Sequence, residues 1–125
     1  MQFTSPPKVV APVVSDFSRS EFEELLRQNP GKVVLKFGAT WCGPCKVIEP
    51  LVNQWFSKMP DTVKCATIDV DDSFDLYGAL KSKRQINGIP AILCFNKGNL
   101  SYIPDMNVVG ADANQVNMFF KQVLQ

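Results

Sequence analysis

Two cysteines three positions apart, Cys42-Gly43-Pro44-Cys45, stand where a strand pattern hands over to a helix pattern. Lys32 to Ala39 reads as a strand, and Val47, Leu51, Val52, Trp55 and Phe56 read as the buried face of the helix that follows. Residues three apart on a helix are neighbours, and that separation suits a disulfide. Cys42 falls at the first turn, where unpaired N–H groups and the positive end of the helix dipole favour a thiolate. Cys45 falls a turn deeper. Cys42 is therefore the expected nucleophile and Cys45 the resolving thiol. Pro44 is tolerated because first-turn N–H groups have no helical partner, and it stiffens the pair. Pro50 is expected to kink the helix, since its ring excludes one backbone hydrogen bond.

Other chemistries for these cysteines fit less well. The chain contains no histidine, so imidazole-based catalysis is excluded. Structural zinc needs four ligands, usually paired Cys-x-x-Cys units or added histidines. Cys65 and Cys94 are single residues inside apolar strands, so no metal is expected. A purely structural disulfide closing so short a loop gains little chain entropy.

The 125 residues fit one domain with its own core. A net charge of +1, from 13 basic and 12 acidic residues, gives no case for nucleic acid or an anionic membrane surface. No apolar run reaches membrane-spanning length. Residues 1–8 lack the basic and apolar blocks of a signal peptide, so a cytoplasmic location is expected. They read as an extended arm before a single domain over residues 9–125. Val9 to Val14 reads as a short edge strand, because Pro12 lacks a donor. Ser18 and Glu21 match a capping box, with Phe17 and Phe22 as the staple, and Asn29-Pro30-Gly31 stops that helix. Val63 to Val70 is a strand. Asp71 to Lys83 is a helix with Phe74, Tyr77 and Leu80 inward. Ala91 to Phe95 is a buried strand. Asn96 to Asn99 is a turn into an irregular edge strand, Leu100 to Val109. Asp112 caps a last helix with Val116, Phe119, Phe120, Val123 and Leu124 inward. Strands joined through helices should be parallel, and the last pair antiparallel.

Trp41-Cys-Gly-Pro-Cys-Lys46, the strand before it, Pro50 after it, and Gly88-Ile-Pro-Ala91 ahead of a buried strand together resemble the thioredoxin family. The likeness runs from about Val9 to Gln125. It implies an α/β fold, with a central five-stranded mixed sheet flanked by four helices. It implies that Pro90 is a cis-proline facing a redox-active Cys42–Cys45 disulfide, and that Ile89 offers backbone groups to an extended substrate. Trp41, Gly43-Pro44 and Val109-Gly110 would form an apolar rim. The implied activity is reduction of protein disulfides by a monomer that binds no cofactor and is recharged by an external thioredoxin reductase. No imidazolium lies between the cysteines to over-stabilise a thiolate, which points to a reducing couple.

The sequence departs from the family at Lys36. Six residues before the first cysteine the family usually has a buried aspartate, and its usual partner lysine aligns with Cys65. Lys36 has two readings: it snorkels its ammonium to water, or it is buried with a depressed pKa and modulates the dithiol along with Gly43, Pro44 and Pro90. Cys65 and Cys94 read as core residues too far apart to bond. Asp71 to Gln85 and Ser101 to Asn107 are longer than the family's spacing. Two other functions stay open, a binding module of the same fold and a disulfide oxidase or isomerase.

Overall fold

The computed structural model describes residues 13–14 and 17–125. The order is β1 (Val13–Val14), α1 (Arg19–Arg27), β2 (Lys32–Gly38), α2 (Gly43–Lys58), β3 (Val63–Asp69), α3 (Phe74–Ser82), β4 (Ala91–Asn96), β5 (Met106–Val109) and α4 (Ala113–Val123). The sheet runs β1-β3-β2-β4-β5. Four strands form its body, and β1 adds a fifth of only two residues at the edge, parallel to β3. The arm at residues 1–8 and the proposed opening of the domain through residue 12 lie outside the described residues.

β2 is central because its side chains are apolar on both faces. Val33, Leu35 and Phe37 point into a core with Phe22 and Leu26 of α1 and Leu76 and Leu80 of α3. Val34 points the other way, into a core with Ile48, Val52 and Phe56 of α2 and Val116, Phe119, Phe120 and Val123 of α4. Strand alternation thus builds a three-layer fold from one strand. Trp55 stacks on Phe120 with ring centroids 5.5 Å apart, joining α2 to α4.

β4 corrects the expected strand directions. It is reached through α3, yet it runs antiparallel to β2. Residues 83–90 carry the chain back to the end of the sheet where β2 finishes, so Ala91 pairs with Phe37 and Lys32 with Asn96. The antiparallel β4–β5 pair is as expected.

The α1 capping box forms, with Ser18 Oγ accepting from Glu21 N and Glu21 accepting from Ser18 N. Asp112 accepts from Asn114 N and Gln115 N at the start of α4. Three burial expectations fail. Val47, Phe74 and Leu124 are exposed, and the true inward set of α2 is Cys45, Ile48, Val52 and Phe56. Val47 lies on the wrong side of a helix whose phase is set by Cys45. α3 starts at Phe74, after the Asp71–Asp72 turn, and turns Leu76, Ala79 and Leu80 inward. β5 is shorter than expected. Residues 99–105 form a loop closed by Asn99 and Asp105, and Asp105 accepts from Asn96 N at 2.7 Å. Tyr102 folds back from this loop onto Phe22 and donates to Glu23 at 2.6 Å, so the longer segment is tied to α1.

Asn29 is buried at the opposite end of the sheet from Cys42. Its amide donates to Phe95 O at 3.0 Å and accepts from Gly31 N at 2.9 Å. Asn29→Ala should cost about 2 kcal/mol, because it strands a buried carbonyl and an N–H. Urea unfolding checks this by a lower midpoint at unchanged slope.

Candidate functional site

The site is assembled where β2 ends. Gly38 O accepts from Val70 N at 2.9 Å, and Cys42 N donates to Ala39 O at 3.2 Å. These bonds turn the chain from strand into helix. Cys42 is the N-cap of α2, one position earlier than the first-turn placement expected, and its Sγ accepts from Cys45 N at 3.2 Å. Gly43 and Pro44 occupy the first helical positions. Cys42 and Cys45 are joined in a disulfide with Cα atoms 5.3 Å apart. Both are buried, at 5% and 3% exposure, so the expected difference in depth is small in this oxidised state.

The Ile89–Pro90 bond is cis. One position beyond the Phe37–Ala91 pair, Pro90 comes level with Gly38 at the end of β2. Pro90 O accepts from Gly110 N at 2.8 Å, and Val109 pairs with Ala91. Gly110 has φ +99°, a conformation that glycine adopts without strain. Ile89, Pro90, Val109 and Gly110 therefore lie together. On the other side Trp41 is 68% exposed, and its indole N–H donates to Asp71 Oδ2 at 2.7 Å. Asp71 is a participant the sequence did not single out, because no spacing rule links it to Trp41.

Lys36 is only 5% exposed, which overturns the snorkelling reading. It lies on the same face of β2 as Val34, with Thr67 and Ile92 as its cross-strand neighbours. It lines a cavity of about 330 Å³ together with Gly38, Thr40, Cys45, Lys46, Glu49, Thr67 and Asp69. Burial pushes the Lys36 pKa down, and the Glu49 carboxylate partly opposes this. Glu49, four residues after Cys45 and so on the same helix face, was also missed; that spacing could have found it. A Cβ added at Gly38 would stand 3.3 Å from Cys45 Sγ, so the glycine leaves this approach to the sulfur open. Cys65 and Cys94 both pair with Val34, one from each side, and form no disulfide. Burial raises the Cys94 thiol to about 11, which keeps it inert. Among the described residues no group of side chains could hold a metal ion.

The thioredoxin family model matches residues 13–122. The chain is a member of the thioredoxin family. It is 37% identical over 84 residues to Thioredoxin-1 of Caenorhabditis elegans, covering 66% of this chain and 69% of that protein. It is 37% identical over 87 residues to the chloroplastic Thioredoxin M-type of Brassica napus, covering 70% of this chain and 45% of that one. Among solved structures it resembles the thioredoxin of Malassezia sympodialis, with a TM-score of 0.69 and 30% identity over 91% of this chain and 93% of the other. With its disulfide at the motif position, this thioredoxin is a thiol–disulfide oxidoreductase of the protein-disulfide reductase type.

Lys36 also has a consequence for stability. Its folded pKa lies below the unfolded value near 10.5, so between the two the unfolded chain binds more protons and stability rises with pH. Below the folded pKa the full cost of burying the charge is present. Lys36→Met should raise Tm by about 3–5 °C at pH 7, for roughly 1 kcal/mol. The advantage should shrink as pH approaches 10.5; calorimetry at pH 7 and pH 10 measures both.

Proposed function

We propose that this thioredoxin reduces disulfides of client proteins, with Cys42 as nucleophile and Cys45 as resolving thiol. The carrying observation is that Cys42 caps α2 while Cys45 lies inside it. In the reduced protein the Cys42 thiolate gains from the unpaired N–H groups and dipole of the helix start. It attacks one client sulfur, forming a mixed disulfide and releasing the other as thiolate. Cys45 loses its proton and attacks Cys42 Sγ, which restores the Cys42–Cys45 disulfide and frees the second client thiol. Two electrons pass to the client, and an external thioredoxin reductase returns them.

Trp41, Ile89, Pro90, Val109 and Gly110 form the substrate surface in this reading. Pro90 has no N–H and Ile89 keeps its backbone groups available, so an extended client segment can lie beside the cysteines. Gly43 and Pro44 fix the distance between the sulfurs. In this reading the protein acts as a monomer in the cytoplasm. Limiting alkylation of the reduced protein near neutral pH should label Cys42 first, and Cys45→Ser should accumulate a mixed disulfide through Cys42. Preferential labelling of Cys45, read by peptide mass mapping, would reverse the assignment.

Lys36 modulates this pair. Its ammonium favours a thiolate in the adjoining dithiol, stabilising the reduced form and making the couple more oxidising. Lys36→Asp and Lys36→Met should both make it more reducing, by ~30 mV for each 1.4 kcal/mol of stabilisation removed. Only the aspartate supplies a proton acceptor, so only it should also speed resolution. Equilibrium potentials and single-turnover rates separate the two effects; equal potentials in all three proteins would remove Lys36 from the chemistry.

A further inference from the structure

The Lys36 cavity has features that the disulfide exchange does not use. Its ammonium carries three donors, and among the described residues no carboxylate approaches it within ion-pair distance and no acceptor is hydrogen-bonded to it. Buried charges are ordinarily paired. The volume of about 330 Å³ is far more than one water needs and lies at the lower end for small-molecule sites, ~300–1,000 Å³. Thr67 supplies a hydroxyl from β3 and Thr40 another from the turn before Cys42. The charged groups facing the cavity are Lys36 from β2, Lys46 and Glu49 from α2, and Asp69 from β3, whose Oδ1 already accepts from Asp71 N at 2.8 Å. On the β4 side Lys36 is flanked by the apolar Ile92, which is not part of the lining. The lining is therefore balanced in charge, and its most buried charged member is the Lys36 cation.

We propose that this cavity is a binding site for a small carboxylate, held by the Lys36 ammonium and the Thr67 hydroxyl and seated against the sulfur of Cys45. An α-amino acid fits the same chemistry, since Glu49 then faces its ammonium group. Gly38 keeps the site open, because it lines the cavity and a Cβ added there would stand 3.3 Å from Cys45 Sγ. The reading of Cys42 and Cys45 as a redox pair gives this site a consequence. In the reduced protein a thiolate competes for the same cation, so the carboxylate binds the oxidised form more tightly, and by reciprocity it favours that form.

Acetate, glycine and chloride, each added at constant ionic strength to the oxidised protein, test the proposal by amide and lysine NMR. The expected result is a saturable shift of Gly38, Thr67 and the Lys36 side chain with acetate and glycine, absent with chloride. Lys36→Met should abolish it, and Gly38→Ala, which narrows the cavity, should weaken it at least threefold. Tighter binding of glycine than of acetate assigns the ammonium contact to Glu49. Shifts that do not saturate, that chloride reproduces, or that survive in Lys36→Met overturn the site. Acetate titrations of the oxidised and the dithiothreitol-reduced protein, both at pH 8.5 so that the charge state of Lys36 starts from the same solution condition, should show at least threefold weaker binding to the reduced form; equal affinity overturns the link to the disulfide. The oxidised titration needs no redox turnover, so failure of the site and failure of the reductase reading are told apart.

Discussion

The pairing of β2 with a neighbour on each side is the constraint on which the rest of the structure depends. Seven registered positions hold it to β3 and six to β4. That double pairing fixes the strand's rotation, and a one-residue slip would exchange its two faces. With the rotation fixed, Val33, Leu35 and Phe37 must enter one core, while Val34 enters the other and Lys36 shares its face. The same register sets Gly38 beneath Cys45 and brings Pro90 level with it. The redox site is thus a boundary condition of the central strand.

Lys36 illustrates a tension between fold and chemistry. A methionine there would pack with Ile92 and remove the cost of a buried ammonium. The lysine instead keeps charge, donors and open volume next to the disulfide. Where a chain retains a buried, unpaired charge, stability is given up locally, and the compensation lies in what the charge does to neighbouring groups. Here those neighbours are Cys45 and Glu49 on one turn of α2.

Much of this is legible in the sequence. The Cys-Gly-Pro-Cys junction, the Ser18–Glu21 capping box and the Asp112 cap are local signals; the two caps formed as read, and the junction formed with Cys42 one position earlier, at the N-cap. Local signals also misled. Val47 and Phe74 are apolar residues whose helix phase depends on tertiary packing, and a window of sequence does not contain that phase. The direction of β4 was hidden because residues 83–90 return the chain without a periodic pattern. Lys36 was legible as a departure from the family, but its burial was not, since a lysine on a strand can turn its end outward unless both neighbouring strands and a helix close over it. Glu49 needed only the helix repeat counted from Cys45, whereas Asp71 met Trp41 through a turn that no spacing rule describes.

The reversal that brings β4 back to the end of β2 also divides the site by chain separation. Cys42 and Cys45 find one another across a single helical turn, whereas Phe37 and Ala91 lie roughly fifty positions apart and close a far costlier loop. The two sulfurs can therefore meet in a chain whose sheet is incomplete, but Pro90 and the Val109–Gly110 edge cannot be beside them until the long-range pairing is made. An oxidised cysteine pair is consequently not a report of a finished molecule. In the proposed reading, the surface that distinguishes one client from another arrives only with the whole sheet, so selectivity, unlike thiol reactivity, is a property of the completed fold.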